Sequence, residues 1–180
     1  MSKIRVVHYI NQFFAGVGGE EQAHIAPELR KELPPISTQL QGKLGEDFEV
    51  VATVVCGDSY FNENLESVQK ELLEMIKGCE PQLFIAGPAF NAGRYGVAAG
   101  TITKAVQDEL HIPAVTAMYE ENPGTDMFRK DVYILETSDS AAGMRKALPK
   151  LAKFAAKLAK GEEILSPKEE GYHQRGLRVN

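Results

Sequence analysis

An α/β three-layer sandwich around a mainly parallel sheet of about five strands is the fold class this sequence predicts, on three observations. Short β-branched runs alternate with helical segments along most of the chain, a pattern that requires right-handed crossovers and parallel strands. The 180 residues are enough to bury one core without disulfides or a structural metal. Apolar residues make up 43% and charged residues 25%, the balance of a globular chain.

Residues 4–10 are β-branched and aromatic-rich, and they break into Asn11, Gln12 and the glycines 16, 18 and 19: a first strand delivering a loop. Residues 33–47 carry Pro34, Pro35, Gly42 and Gly45 among polar residues and predict an exposed connection. Residues 48–55 form the second strand, which ends at Cys56-Gly57-Asp58. Asn62 or Asn64 caps a helix to about Lys77, because Leu65, Val68, Leu72, Met75 and Ile76 recur at helical spacing. Gly78 stops it. Residues 83–86 are a short buried strand, 87–93 a loop, and 92–110 a helix whose small residues permit close packing on a sheet. Residues 112–118 and 132–135 supply the fourth and fifth strands, with a short helical turn between them. Asp139 or Ser140 then caps a last helix to about Lys160, which Pro149 is placed to kink. A flavodoxin-like or Rossmann-like architecture follows for residues 1–160, with strand order left open. Residues 161–180 read as an extended tail toward a partner or a further domain, because they lack amphipathic periodicity.

A net charge of −5 and a pI near 5.5 exclude a general nucleic-acid or anionic-membrane surface, which would need clustered Lys and Arg. Small molecules and protein partners are expected instead. No apolar run reaches membrane-spanning length and the N-terminus lacks signal-peptide character, so a cytoplasmic location is expected. The alternation of Lys with Ala and Leu in residues 147–160 reads as the solvated face of a sheet-covering helix. Cys56 and Cys79 form no C-x-x-C pair, and His24, His111 and His173 have no His or Cys neighbour at ligand spacing. No metal site is predicted.

Ligands of open parallel sheets bind where loops follow the carboxyl ends of strands, and the unusual residues of this chain collect there. The Gly16-x-Gly18-Gly19 run is a poor dinucleotide fingerprint, since Glu21 takes the third glycine position and Glu20 would repel a pyrophosphate. It reads either as a surface loop or as a substrate gate, with Asn11, Gln12, Glu20 and Glu21 available to a polar or cationic ligand. The segment GPAFNAGRYG joins a buried strand to a helix N-terminus. A carboxylate would be stabilised there by first-turn N–H groups near Asn91 and Gly93 and by the guanidinium of Arg94. Tyr60, Phe61, Phe90, Tyr95 and Tyr119 are either core or a receptor for a methylated ammonium. Cys56 is a candidate nucleophile or an inert core thiol. His8 is expected to be a hydrogen-bonded core histidine.

The segments KIRVVHYINQFFAGVGGEE, VVCGDSYFNEN, AGPAFNAGRYGVAAG, MYEENPGTDM and EEGYHQRGLRVN together closely resemble the selenoprotein B subunit of the glycine, sarcosine and betaine reductase complexes. The resemblance runs in order along essentially the whole chain and covers the amino-terminal part of that subunit. It implies reductive cleavage of a substrate C–N bond, release of ammonia or a methylated amine, and transfer of a carboxymethyl group to selenoprotein A, with acetyl phosphate formed downstream. It implies a pyruvoyl-containing component B subunit as partner. It also implies a selenocysteine-x-x-cysteine motif in the later half of the subunit. This chain has neither that motif nor a pyruvoyl group, so no cofactor is expected on it. A fragment, a split subunit or a separately expressed domain is implied, inactive alone. Asn11, Glu20, Glu21, Asp58, Asn91, Arg94, Glu121 and Asn122 fall inside the family-like motifs, as do Gly93 and Tyr119. From chemistry, the helix end and Arg94 suit the substrate carboxylate, and Glu20, Glu21 or Glu121 its ammonium. The competing expectation is a non-catalytic assembly module whose edge loops and RGLRVN tail contact other subunits.

Overall fold

The computed structural model describes residues 2–176. Six strands form one sheet in the order β2-β3-β1-β4-β5-β6: β1 (Ile4–Asn11), β2 (Glu28–Arg30), β3 (Phe48–Cys56), β4 (Leu83–Ala86), β5 (Ala114–Met118) and β6 (Tyr133–Glu136). All pairings are parallel except that of β2, which runs antiparallel along the edge of β3. Without β2, the five parallel strands follow the 2-1-3-4-5 order of a flavodoxin-like sheet. The chain reverses its direction of winding between β1 and β4, and that is where the loops leaving these two strands part.

Alternation sorts the side chains of each strand between two cores. Val7 and Tyr9 of β1 join Phe84 and Ala86 on one face, under α2 (Asp58–Glu63), α3 (Leu65–Gly78) and α4 (Gly93–Leu110). Val6 and Ile10 join Leu83, Ile85 and Val115 on the other, under α1 (Pro35–Leu44) and α6 (Met144–Ala159). The helices are held by their apolar stripes: Val68, Leu72 and Ile76 of α3 are fully buried, each adding roughly 1.5–3 kcal/mol. Among the described residues no helix is long and apolar enough to cross a membrane.

Three elements depart from expectation. Residues 35–44, predicted as an exposed connection, form α1. Pro35 takes the first helical turn, where its missing N–H costs nothing, and Ile36, Leu40 and Leu44 line up at i, i+4 and i+8 to bury one stripe. The prolines and glycines of this stretch hid that periodicity. The edge strand β2 and the short α2 were also not anticipated, being three and six residues long. Of the predicted caps, Asn62 lies inside α2 and Asn64 precedes α3 without a capping hydrogen bond, while Asp139 and Ser140 precede a 3₁₀ turn (Ala141–Gly143) and the N-cap of α6 is Gly143.

Beyond α6 the chain returns along the sheet. The short α7 (Pro167–Glu170) is capped by the Ser166 hydroxyl, which accepts from the Glu169 N–H. Tyr172 forms a bridge with Leu135 and packs its ring on Tyr133 and Phe154. The segment has no amphipathic period because a few anchors hold it, among them the ion pair of Lys157 with Glu170. Residues 177–180 of the RGLRVN segment lie outside the described residues.

Candidate functional site

A cleft of about 350 Å³ opens at the winding reversal, between the loop leaving β1 and the loop leaving β4. Its polar lining includes Asn11, Gln12, Glu20, Asp58 and Asn91, and Phe13, Phe14 and Phe90 wall it. Asn11 is the last residue of β1 and is 4% exposed. Its Oδ1 accepts from the Phe14 N–H at 3.1 Å, which turns the loop, and its Nδ2 donates to Asp58 Oδ2 at 2.9 Å. Gln12 Oε1 accepts the backbone N–H of Asp58 at 3.0 Å. The end of β1 is thereby clasped to the start of α2.

Asp58 is the least ordinary group in the cleft. It is 6% exposed, and its second oxygen, Oδ1, is buried without a hydrogen-bond partner. Burial pushes its carboxyl up to about 6, against the opposing effects of the Asn11 amide, the Arg94 charge and Gln12, while Glu20 adds to the rise. The hydroxyls of Tyr9 and Tyr95 are also buried without partners. Burial first, then nearby negative charge including that of Asp58, raises both phenols well above their ordinary value.

The far side of the cleft leads to the N-terminus of α4. Ala92 is the N-cap residue, and no side chain caps the helix, which leaves the first-turn N–H groups without intrahelical acceptors. Arg94, about half exposed, donates to the Ser59 hydroxyl and pairs with the Glu20 carboxylate. That pairing raises its pKa. Glu20 is therefore held at the guanidinium, and the buried anion of the cleft is Asp58.

The other anticipated residues have different surroundings. Cys56 ends β3 fully buried, with its Sγ directed at the Ile25 carbonyl at 3.8 Å. Burial, followed by the charges of Asp58 and Glu71, pushes its thiol up to about 12. Burial of this kind leaves little thiolate and matches the core-thiol alternative. Glu21 is exposed on a 3₁₀ turn (Glu20–Gln22), where Oε1 accepts the Gly19 N–H at 2.9 Å. Its own backbone N–H and that of Gly19 lower its carboxyl. Asn122 is 1% exposed and structural in its contacts. It caps α5 (Pro123–Phe128) by accepting from the Gly124 N–H, and it donates to the carbonyls of Phe90 and Ala92 at 2.9 and 3.1 Å. Gly93 opens α4 against Pro123. Tyr119 is half-buried and its backbone pairs with Phe90. Glu121 is exposed and, like Tyr119, does not line the cleft.

Of the aromatic candidates, Phe61 and Tyr95 are core and Phe90 reaches the cleft. Phe13 and Phe14 were missed, although a Phe pair beside a strand end was a readable signal. His8 is a buried core histidine held by the Ser37 hydroxyl and the Gly87 carbonyl, both at 2.8 Å. Burial lowers it to about 4.

The model of the family described as glycine/sarcosine/betaine reductase selenoprotein B matches residues 3–180. The chain is 73% identical over 180 residues to the glycine reductase complex component B subunit gamma of Peptoclostridium litorale, covering all of this chain and 41% of that protein. It is 59% identical over 180 residues to the sarcosine reductase complex component B subunit beta of Peptoclostridium acidaminophilum, with the same coverage. It is 40% identical over 174 residues to the betaine reductase complex component B subunit beta of that organism, covering 97% of this chain and 40% of the relative. The chain thus spans about two-fifths of the length of the curated relatives it matches. No solved structure matches it. The chain belongs to the selenoprotein B family of the glycine, sarcosine and betaine reductase complexes.

Proposed function

We propose that this chain is the amino-terminal, substrate-binding domain of a component B subunit that reductively deaminates glycine or an N-methylated glycine. The observation that carries this reading is the buried Asp58 carboxylate, which lines a cleft that reaches on its other side to Ala92, the N-cap of α4. A zwitterionic amino acid has its two charges separated by one carbon; Asp58 lines the cleft, and the start of α4 adjoins it at Ala92, with Gly93 and Arg94 just beyond the lining. The ionised Asp58 suits the ammonium, while the helix end and Arg94 suit the carboxylate. Phe13, Phe14 and Phe90 offer faces to a methylated ammonium. Arg94 is paired with Glu20, so a substrate carboxylate would replace one carboxylate with another at the same guanidinium.

Both thiols are buried and raised by burial, which supports a nucleophile supplied from outside this domain. A pyruvoyl group on a partner subunit, and selenocysteine there or in the remainder of the subunit, would supply the reacting carbonyl and selenolate. The residues of this chain bind the amino acid, orient it and exclude water. In this scheme the amine leaves and the carboxymethyl group passes to selenoprotein A.

Calorimetry of the chain with glycine, sarcosine and betaine tests the reading. Heat with at least one of them, weakened in Asp58→Asn, is the expected result. No heat with any favours the assembly module, in which the same loops contact other subunits.

A further inference from the structure

Away from this cleft, the carboxyl ends of β5 and β6 gather three metal-ligating side chains that are scattered in sequence. Glu120 lies two residues after β5, Glu136 ends β6, and His173 sits on the returning tail. One ligand atom from each lies within 4.8 Å of the others. His173 is 2% exposed. Its Nε2 lies 2.8 Å from the Met118 carbonyl, which can only accept, so Nε2 carries the proton and Nδ1 of the neutral ring presents a lone pair. That Nδ1 is buried without a hydrogen-bond partner. Glu120 Oε2 is only 2.7 Å away, in ion-pair range but off the axis a hydrogen bond needs, and Glu136 Oε1 is 3.7 Å away on the same group.

We propose that Glu120, Glu136 and His173 bind one divalent first-row transition ion of the zinc class. One imidazole nitrogen with two carboxylates is a donor set such ions accept. Ligands around a common ion lie off one another's bonding axes, as these atoms do. Tetrahedral zinc with bonds of about 2.0–2.1 Å separates its ligand atoms by about 3.3 Å, and the two distances to Nδ1 fall on either side of that value. The bond from Nε2–H to a backbone carbonyl is the outer contact that fixes the tautomer of a metal-bound histidine. The His173 N–H donates to the Ile134 carbonyl at 2.9 Å, so the backbone also sets the ring's position. Arg129 Nη1, 3.4 Å from Glu120 Oε1, steadies the oxygen that does not face His173. A cleft of about 390 Å³ lined by Glu120, Arg129 and Glu136 gives entry and room for a water ligand. The bound ion would tie the tail to the sheet.

A protonated His173 paired with the same carboxylates is the competing state, and the test separates the two. Chelator-stripped chain is titrated with Zn²⁺ by calorimetry, and imidazole nitrogen resonances are followed by NMR. The expected result is one equivalent bound, a shift of the His173 Nδ1 resonance with Nε2–H retained, and a melting temperature raised by zinc. Glu136→Gln, an exposed position, should weaken binding about tenfold or more and remove the zinc-dependent rise in melting temperature. The proposal is overturned if zinc binds no better than to the Glu120→Gln/Glu136→Gln double variant. It is equally overturned if Nδ1 carries a proton with one equivalent of zinc present, or if Glu136→Gln leaves affinity unchanged.

Discussion

Asp58 combines a cost to folding with the binding role proposed for it. Its carboxyl is raised from 3.8 to about 6 by burial, so the folded state favours the protonated form. That contribution is complete below pH 3.8 and lost as pH rises through about 6. Asp58→Asn should therefore stabilise the chain at pH 8 by up to about 3 kcal/mol and do little at pH 4. Urea denaturation at the two pH values checks this, and a variant less stable at both would make the carboxylate a required structural acceptor. An ammonium ligand needs the ionised form, so its affinity should fall as pH drops below about 6. Arg94 works in a wetter setting, half exposed and paired to Glu20. Water screens such pairs, so Arg94→Ala should weaken carboxylate binding by only about 0.5–1 kcal/mol and leave folding nearly unchanged. Glu20→Gln should strengthen binding by a similar amount by freeing the guanidinium. Calorimetry on the two variants tests the pair, and equal losses in both would place Glu20 in the ligand's shell.

The cleft's geometry rests on the contact of α4 with α5. A Cβ on Gly96 would stand 2.0 Å from Asn122 Oδ1, and one on Gly124 would stand 2.5 Å from the Gly96 carbonyl. The two glycines let the helices approach closely enough for Asn122 to cap α5 and hold the Phe90 and Ala92 carbonyls together. Gly96→Ala is expected to cost about 1–3 kcal/mol by overpacking. Asn122→Ala should cost about 1–2 kcal/mol through the lost cap. Thermal melts give both numbers, and nitrogen-15 spectra should show Asn91 and Gly93 displaced in each variant. The small residues of α4 were readable as close-packing positions, but their neighbour was not, because 26 residues separate Gly96 from Asn122 in sequence.

At the scale of the whole molecule, residues 161–176 belong physically to the domain they follow. Tyr172 stacks edgewise on Tyr133 and donates to the Leu165 carbonyl at 2.7 Å, while Arg175 lies over the Tyr133 ring. Tyr172→Ala should destabilise the domain on the order of 2–4 kcal/mol and expose the tail to protease near Gly161. A variant that keeps full stability while the tail is cut would show that the tail folds separately. The charged composition of this segment gave no sign of its docking, because three or four anchors suffice to order a segment that lacks a repeating apolar face.

The local signals in the sequence, namely β-branched runs, apolar residues at helical spacing and punctuating glycines, determined the parallel α/β class, most element positions and the loops that carry the polar residues. These depend on neighbours within a few positions, so they are written locally. Strand order, the antiparallel edge strand and the burial of Asp58 depend on residues brought together from far apart. So do the enclosure of the Cys56 thiol and the meeting of His173 with Glu120 and Glu136. Burial and electrostatic environment arise only once the sheet is wound, and only the tertiary structure decided which carboxylate is enclosed and which stays in water.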